Sequence, residues 1–522
     1  MHRIDRDMAK LSHTRRVMIA SVVGATLGAA TFSAAAQTTD PKVLTIGNPF
    51  SPLSMDPSLS GNGRAGTHLL PAYEPLLRVR ADGSFEPALA SAWSLSADSK
   101  EATFTLRRDA KFSDGEPVTA AAAKASIEYW RNKKGPFSVN LANVTSVDVI
   151  DSHSFKVKLS SPNPALLNLF EAYWLVGDLI SPKALATPDI LGTQTFGAGP
   201  YRLDPAATVT GKMYTYVPNP HYYDKARIKW DKVVMVVYED QNSAIQAMKA
   251  GQLKVLVSDP VTGHANASKL DKNIRTISEP VQWTGLIVVD RDGSVNPALK
   301  DVRVRQAINH AIDRKLIAKA LLGDYADPTA QLQGKGFMGH DAANETRYPY
   351  DPAKAKALLA AAGYANGFEM KLSYVNNTLS SVMSQVLAGQ FKKAGINVKL
   401  NEFQNFGAMN AAARAKGMEA LVFNSNMGVP NLARFQTLAP KGSLNFYGNE
   451  DATLAQLIDE AGNLPLSKAD AAWKKVYAHV VELAWFAPIA STHTVYFVTD
   501  AVKTPKIGQS VIIDMINVVP AK

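Results

Sequence analysis

Apolar and polar positions alternate from Ala102 to Leu106, with Phe104 and Leu106 on one face and Thr103 and Thr105 on the other. A period of two is that of a half-buried strand. Upstream, Asp82-Gly83 separates the apolar pair Leu76-Leu77 from Phe85-Glu86-Pro87, and such a pair takes positive φ at low cost, so it predicts a turn. Asp114-Gly115 ends the next short run, Ala110 to Phe112. After Pro117 the period lengthens: alanines, Ile127 and Trp130 between Ala120 and Trp130 predict a helix with Thr119 as its N-cap. Val304, Ala307, Ile308, Ala311 and Ile312 recur at spacings of three and four, the buried face of another helix. The neighbouring arginines then fall on its other faces, in a solvated or structural role. Asp351 is the expected N-cap of a helix over 353–362, with Gly363 as its C′ residue. Phe391 to Ile396 repeats the order helix, glycine, strand, and leads into 397–400. Alternating helices and short strands predict α/β lobes.

The N-terminus bears on where these lobes fold. Arg15-Arg16 precedes a weakly apolar run from Val17 to Ala36 that closes on Ala34-Ala35-Ala36, a small-residue cleavage pattern, so the mature chain is expected to start at Gln37. The run approaches the ~20 residues that span a bilayer, and a retained anchor is the alternative. Its Ser, Thr, Gly and Ala content favours cleavage. Met1 and Met8 both serve as starts, and the paired arginines leave the general secretory and twin-arginine routes open. The chain has no cysteine, which excludes a lipid-anchored lipoprotein, disulfide staples and thiolate metal sites.

With 522 residues, 46% hydrophobic and 20% charged, the composition is that of a globular protein of more than one domain. Residues 1–36 carry five of the 56 basic and two of the 46 acidic residues, so the formal charge of +10 falls to +7 after processing. Acidic and basic residues are interspersed, as in Tyr222 to Lys232, which argues against a nucleic-acid partner.

Several motifs converge. Tyr73-Glu74 ahead of a Leu pair, Asp82-Gly83, Pro87 with Leu89-Ala90, Trp93, Phe104 to Arg107, and Phe112 to Gly115 followed by Pro117 and Thr119-Ala120 stand in one register. Together they resemble the signature segment of the family 5 extracellular solute-binding proteins, the periplasmic components of peptide, nickel and oligosaccharide ABC importers. Gly197 to Arg202, Asn219-Pro220 with Tyr222-Tyr223, Ser243 to Gly251 and Asp301 to Arg314 continue the resemblance, although Lys254 stands where an acidic residue is usual. The resemblance implies a two-lobed α/β architecture of periplasmic binding protein type II: a first lobe from 37–78, 196–284 and 488–522, a subdomain inserted at 79–195, and a second lobe over 285–487. Crossings near Pro280 to Trp283 and Ala487 to Ser491 would form the hinge. A soluble monomer in the periplasm, meeting a small solute and the permease subunits, is the expected setting.

No G-x-S-x-G elbow, H-E-x-x-H helix or phosphate-binding loop occurs, the ten histidines are scattered, and neither a metal site nor a cofactor is expected. The resemblance places the ligand against Ser54, Met55, Trp283, Asn376 with Asn377, and a loop from Asn424 through Asn426 to Pro430. Aromatic rings supply stacking area and Asn amides supply both donors and acceptors. Hinge packing is the structural alternative for Trp283, and a turn role that for Asn424 and Asn426. Peptide-binding members of the family have an aspartate in this loop that answers the peptide's ammonium, whereas Phe423 to Asn431 here holds no carboxylate. Leaving a buried ammonium unanswered costs about 2–5 kcal/mol, so an ordinary free-amine peptide is disfavoured unless another acid substitutes. A sugar, an opine-like conjugate or a capped peptide gains. A secreted hydrolase of peptides or glycans and a sensor using the same cleft are the competing functions.

Overall fold

Two long strands, Ile274–Val288 and Phe486–Thr499, run antiparallel through the centre of the molecule, paired from Ile274 with Thr499 to Ile287 with Phe486. Their register slips between Pro280 and Gln282 and again between Thr284 and Gly285. The computed structural model describes residues 40–60, 65–80, 83–133, 135, 137–440, 442, 444–505 and 515–522. The expected leader, the start at Gln37 and Asp82 lie outside these residues. Gly83 takes the positive φ, +83°, expected of its turn.

The central pair belongs to one mixed sheet. On one side follow Val255–Ser258, Val43–Asn48, Lys232–Val237, Met213–Pro218 and Tyr201–Leu203; on the other follow Ala420–Asn426, Phe368–Val375 and Ile396–Phe403. Val43–Asn48 is parallel to both its neighbours, and the Phe368–Val375 and Ile396–Phe403 pair is parallel as well. Parallel neighbours need crossover connections, supplied by the helices Gln241–Lys249 and Thr378–Lys393. A separate antiparallel sheet of Ala90–Leu95, Glu101–Leu106, Ser154–Leu159 and Val144–Val149 packs with the helix Ala120–Asn132. The fold is therefore α/β and two-lobed with an extra subdomain, although its crossing strands are long where short strands were expected.

Local chemistry explains these elements. Phe104 and Leu106 point inward from Glu101–Leu106, as their alternation requires. Thr119 caps its helix by accepting from the Ala122 N–H at 3.2 Å, and Asp351 accepts from Lys354 N–H at 2.8 Å. The five apolar residues from Val304 to Ile312 are all buried. Gly197 and Gly199 serve close backbone approach and not positive φ: a Cβ on either would lie within 2.4–2.5 Å of Ala72 atoms. Lys254, the departure from the family pattern, donates to the carbonyls of Val43 and Asp40 at 2.7 and 3.0 Å.

One core gathers Leu44, Tyr73, Phe104, Trp130, Tyr216 and Val498. The other half of the sheet carries a core on each face: Leu286, Ile308, Leu372 and Phe391 on one, and Trp283, Ile287, Met427 and Trp473 on the other.

Candidate functional site

The residues singled out in the sequence do not share a face. Thr284 pairs with Asn424 and Gln282 with Asn426, so these four project together; Trp283 pairs with Ser425 and projects the opposite way. Asn424 and Asn426 were expected in a loop, but the ladder with the crossing strand satisfies their backbone and carries the strand to Asn426. Asn426 Oδ1 accepts from Gln282 Nε2 at 3.2 Å. Trp283 is 2% exposed and meets Phe486 edge-on at 5.8 Å between ring centres. Met55 is buried in the first core, and Ser54 Oγ accepts from Asp56 N–H at 3.1 Å beside a shallow hollow shared with Leu53, Thr193 and Tyr214. Asn376 and Asn377 are exposed, and Asn377 caps the helix Thr378–Lys393 by accepting from Ser380 N–H at 3.0 Å. The side chain of Asn431 lies outside the described residues.

On the Trp283 side the two halves of the molecule meet. Phe337 packs both on the Trp283 core and on the small cluster of Leu70 and Val281, on which Ala172 and Tyr173 also pack. Leu432, from the helix Pro430–Thr437, is fully buried in the first core, with Val429 packed alongside. The same helix abuts the turn Ser138–Leu141. Phe137, Tyr173 and Trp174 form a contiguous ring cluster, with centres 5.2–6.2 Å apart.

Next to that cluster stand polar groups that no motif signalled. Glu171 is half-buried, and its Oε2 accepts from Tyr173 N–H at 2.9 Å. Burial pushes its carboxyl up to about 7. Asp178 is 0% exposed and neither carboxylate oxygen has a partner. Burial first, and then the charge of Glu171, raises its pKa well above the ordinary range. Tyr73 is close enough to feel Asp178, and its hydroxyl accepts from Phe196 N–H at 3.2 Å. Asn140, 2% exposed in the turn beside Phe137, bonds through neither end of its amide. Asp56 is the counterexample: it accepts from Ser58 N–H, Ser58 Oγ and Tyr129 OH at 2.9, 2.7 and 2.6 Å. The signal for Glu171 and Asp178 was present as two isolated acids inside the run LLNLFEAYWLVGDLI, residues 166–180. Among the described residues no group of three or more His, Asp or Glu could hold a metal ion, and no helix is long and apolar enough to cross a membrane.

Two halves with separate cores, joined through a pair of adjacent crossing strands, are the build of a two-lobed periplasmic binding protein. The chain belongs to the bacterial extracellular solute-binding proteins of family 5, whose middle-region model matches residues 84–441. It is 29% identical over 388 residues to the glutathione-binding protein GsiB of Salmonella choleraesuis, covering 72% of this chain and 71% of that protein. Its fold is similar to that of AgaA of A. tumefaciens R10, solved with agropinic acid, at a TM-score of 0.81 and 24% identity over 92% of this chain and 98% of that one. Helicobacter pylori DppA, solved with the peptide STSA, also gives 0.81, at 21% identity over 92% and 98%.

Proposed function

We propose that this chain is the periplasmic capture component of an ABC importer: a monomer without catalytic activity that closes its lobes on a small polar solute and delivers it to the permease subunits. The observation that carries this reading is the pair of crossing strands. Both lobes hang on them, and their register slips twice within Pro280 to Gly285, beside the expected crossing. Rotation about such a line opens and closes a cleft. The lobe limits of 37–78, 196–284 and 488–522 for the first, 285–487 for the second and 79–195 for the insertion belong to this proposal.

Glutathione, a tetrapeptide and agropinic acid, the ligands named for GsiB, DppA and AgaA, support a peptide-like or opine-like solute, with an oligosaccharide as the outlier. We assign the solute to the Trp283 side, against Ser425, Phe337 and Tyr173. Trp283 and Met55 would back that wall from within the cores, Ser54 and Asn376 would stand at its margins, and Asn424 and Asn426 would support it from behind.

The test starts with protein secreted by a Gram-negative host. Native mass spectrometry is expected to find a co-purified small solute, and adding that solute back to stripped protein should raise Tm saturably, by about 2.7 kcal/mol of stability at a hundred times Kd. The solute should be recovered unchanged after prolonged incubation. Its conversion to product would replace the importer with the hydrolase.

A further inference from the structure

We propose that Glu171 and Asp178 form an acidic subsite, entered from the Trp283 side of the crossing strands, that receives a primary ammonium group of the solute. This deepens, and rests on, the solute-binding reading above.

Placement comes first. Ala172 and Tyr173, the residues after Glu171, pack on the small cluster of Leu70 with Val281 of a crossing strand, and Phe337 packs on the same cluster, which sets Glu171 beside that strand. Glu171 is half-buried, whereas Asp178 is fully buried. The two are coupled, since the charge of Glu171 is felt at Asp178.

Unmet bonding is the second observation. Both oxygens of Asp178 and both ends of the Asn140 amide are buried without any partner. Buried polar groups are bonded in the great majority of cases, and an isolated buried carboxylate is among the costliest exceptions. Among the described residues nothing answers these groups, although Asp56 shows that a buried acid here can be satisfied fully. A ligand group that brings donors and positive charge removes the deficit.

An ammonium suits the space better than a divalent ion. It carries three donors for the free oxygens of Asp178 and Glu171, and the rings of Phe137, Tyr173 and Trp174 supply the low-dielectric, cation-tolerant wall that a desolvated ammonium accepts. A hard divalent cation would need about six oxygen ligands. The absence of a carboxylate from 423–431 then has an explanation, because the counter-charge sits in the inserted subdomain and not in the second lobe.

Trialanine and N-acetyl-trialanine, which differ only at the amine, test this on the wild type and on the Glu171→Gln and Asp178→Asn variants. Wild type should bind trialanine at least about tenfold more tightly, the usual worth of a charge-assisted hydrogen bond, and each variant should lose most of that preference. Ligand-free Tm should be unchanged or higher in both variants, because each replaces an acid whose charged form burial disfavours with a neutral amide. A merely structural carboxylate would lower it. Equal, saturable responses of the wild type to both peptides would overturn the subsite and leave solute binding intact. A fall in ligand-free Tm in both variants would overturn it as well. A wild type that answers neither peptide nor its co-purified solute overturns the solute-binding reading itself.

Discussion

Two regions hold charge away from the surface, Arg305 and Arg314 beside the second crossing strand and Glu171 and Asp178 in the run 166–180; both arginines and Asp178 are buried and Glu171 is half-buried, but their partners differ. Arg305 donates to the carbonyls of Leu483, Leu299 and Lys300 at 2.8–3.0 Å. Arg314 donates to Pro488 O, Asn309 O, Tyr348 O and Asn309 Oδ1 at 2.7–3.0 Å. Both remain charged at neutral pH even though burial lowers each to about 10. Among the described residues the two acids together receive one backbone N–H. A buried charge that the fold has answered is scaffold; one left unanswered marks where something from outside is expected.

The sharpest way to break this comparison is Arg314→Met. The change removes a satisfied guanidinium and takes a donor from the carbonyls of Pro488 on the second crossing strand, Tyr348 in a loop and Asn309 near the end of the helix Val302–His310, so unfolding in denaturant should show a loss of about 3–5 kcal/mol. A loss under about 1 kcal/mol would mean that the fold invests no more in the charge of Arg314 than in that of the two acids.

Glu171→Gln should act in the opposite direction, and in a pH-dependent way. The folded carboxyl titrates at about 7 and the unfolded one near 4.5, so the native state holds its proton more tightly. Stability of the ligand-free protein therefore falls as pH rises from about 4.5 to about 7 and stays lower above that. The variant lacks this loss and should match wild type near pH 4, then exceed it at pH 7.5 by on the order of 2 kcal/mol. His68, His310 and His493 have pKa values lowered by burial, His68 to about 4, and they push stability upward over the same range. The difference between the two proteins, measured by thermal unfolding at each pH, cancels that background. A flat difference would remove the anomaly from Glu171.

The scaffold was legible in the sequence for local reasons. The face from Val304 to Ile312 and the caps Thr119, Asp351 and Gly363 depend on neighbours within about a turn of helix, and periodicity reports such neighbours directly. Arg305 was less legible: it stands next to Val304 in the helix, yet its guanidinium reaches Leu483, 178 residues away. The candidate site was the least legible part. Alternation says that Asn424 and Asn426 share a face and that Ser425 opposes them, but which face meets the other lobe depends on the pairing with Gln282 and Thr284. Glu171 and Asp178 acquire meaning only once Val281, more than 100 residues later, is packed with Leu70 into the cluster that carries Ala172 and Tyr173.

The finest test of that facing is Asn426→Ala. If the solute lies on the Trp283 side, the amide of Asn426 serves only the opposite surface, where it accepts from Gln282 Nε2 at 3.2 Å. Its loss should cost about 1 kcal/mol of stability or less and change affinity for the co-purified solute by under about twofold. Tyr173→Ala, on the side assigned to the solute, should weaken the same binding by about tenfold or more through lost aromatic contact area. Calorimetric titration of both variants separates the faces. A larger loss for Asn426→Ala than for Tyr173→Ala would place the solute behind the crossing strands, out of reach of Glu171 and Asp178. Their unmet bonds would then be a cost of the first lobe's packing and not a subsite.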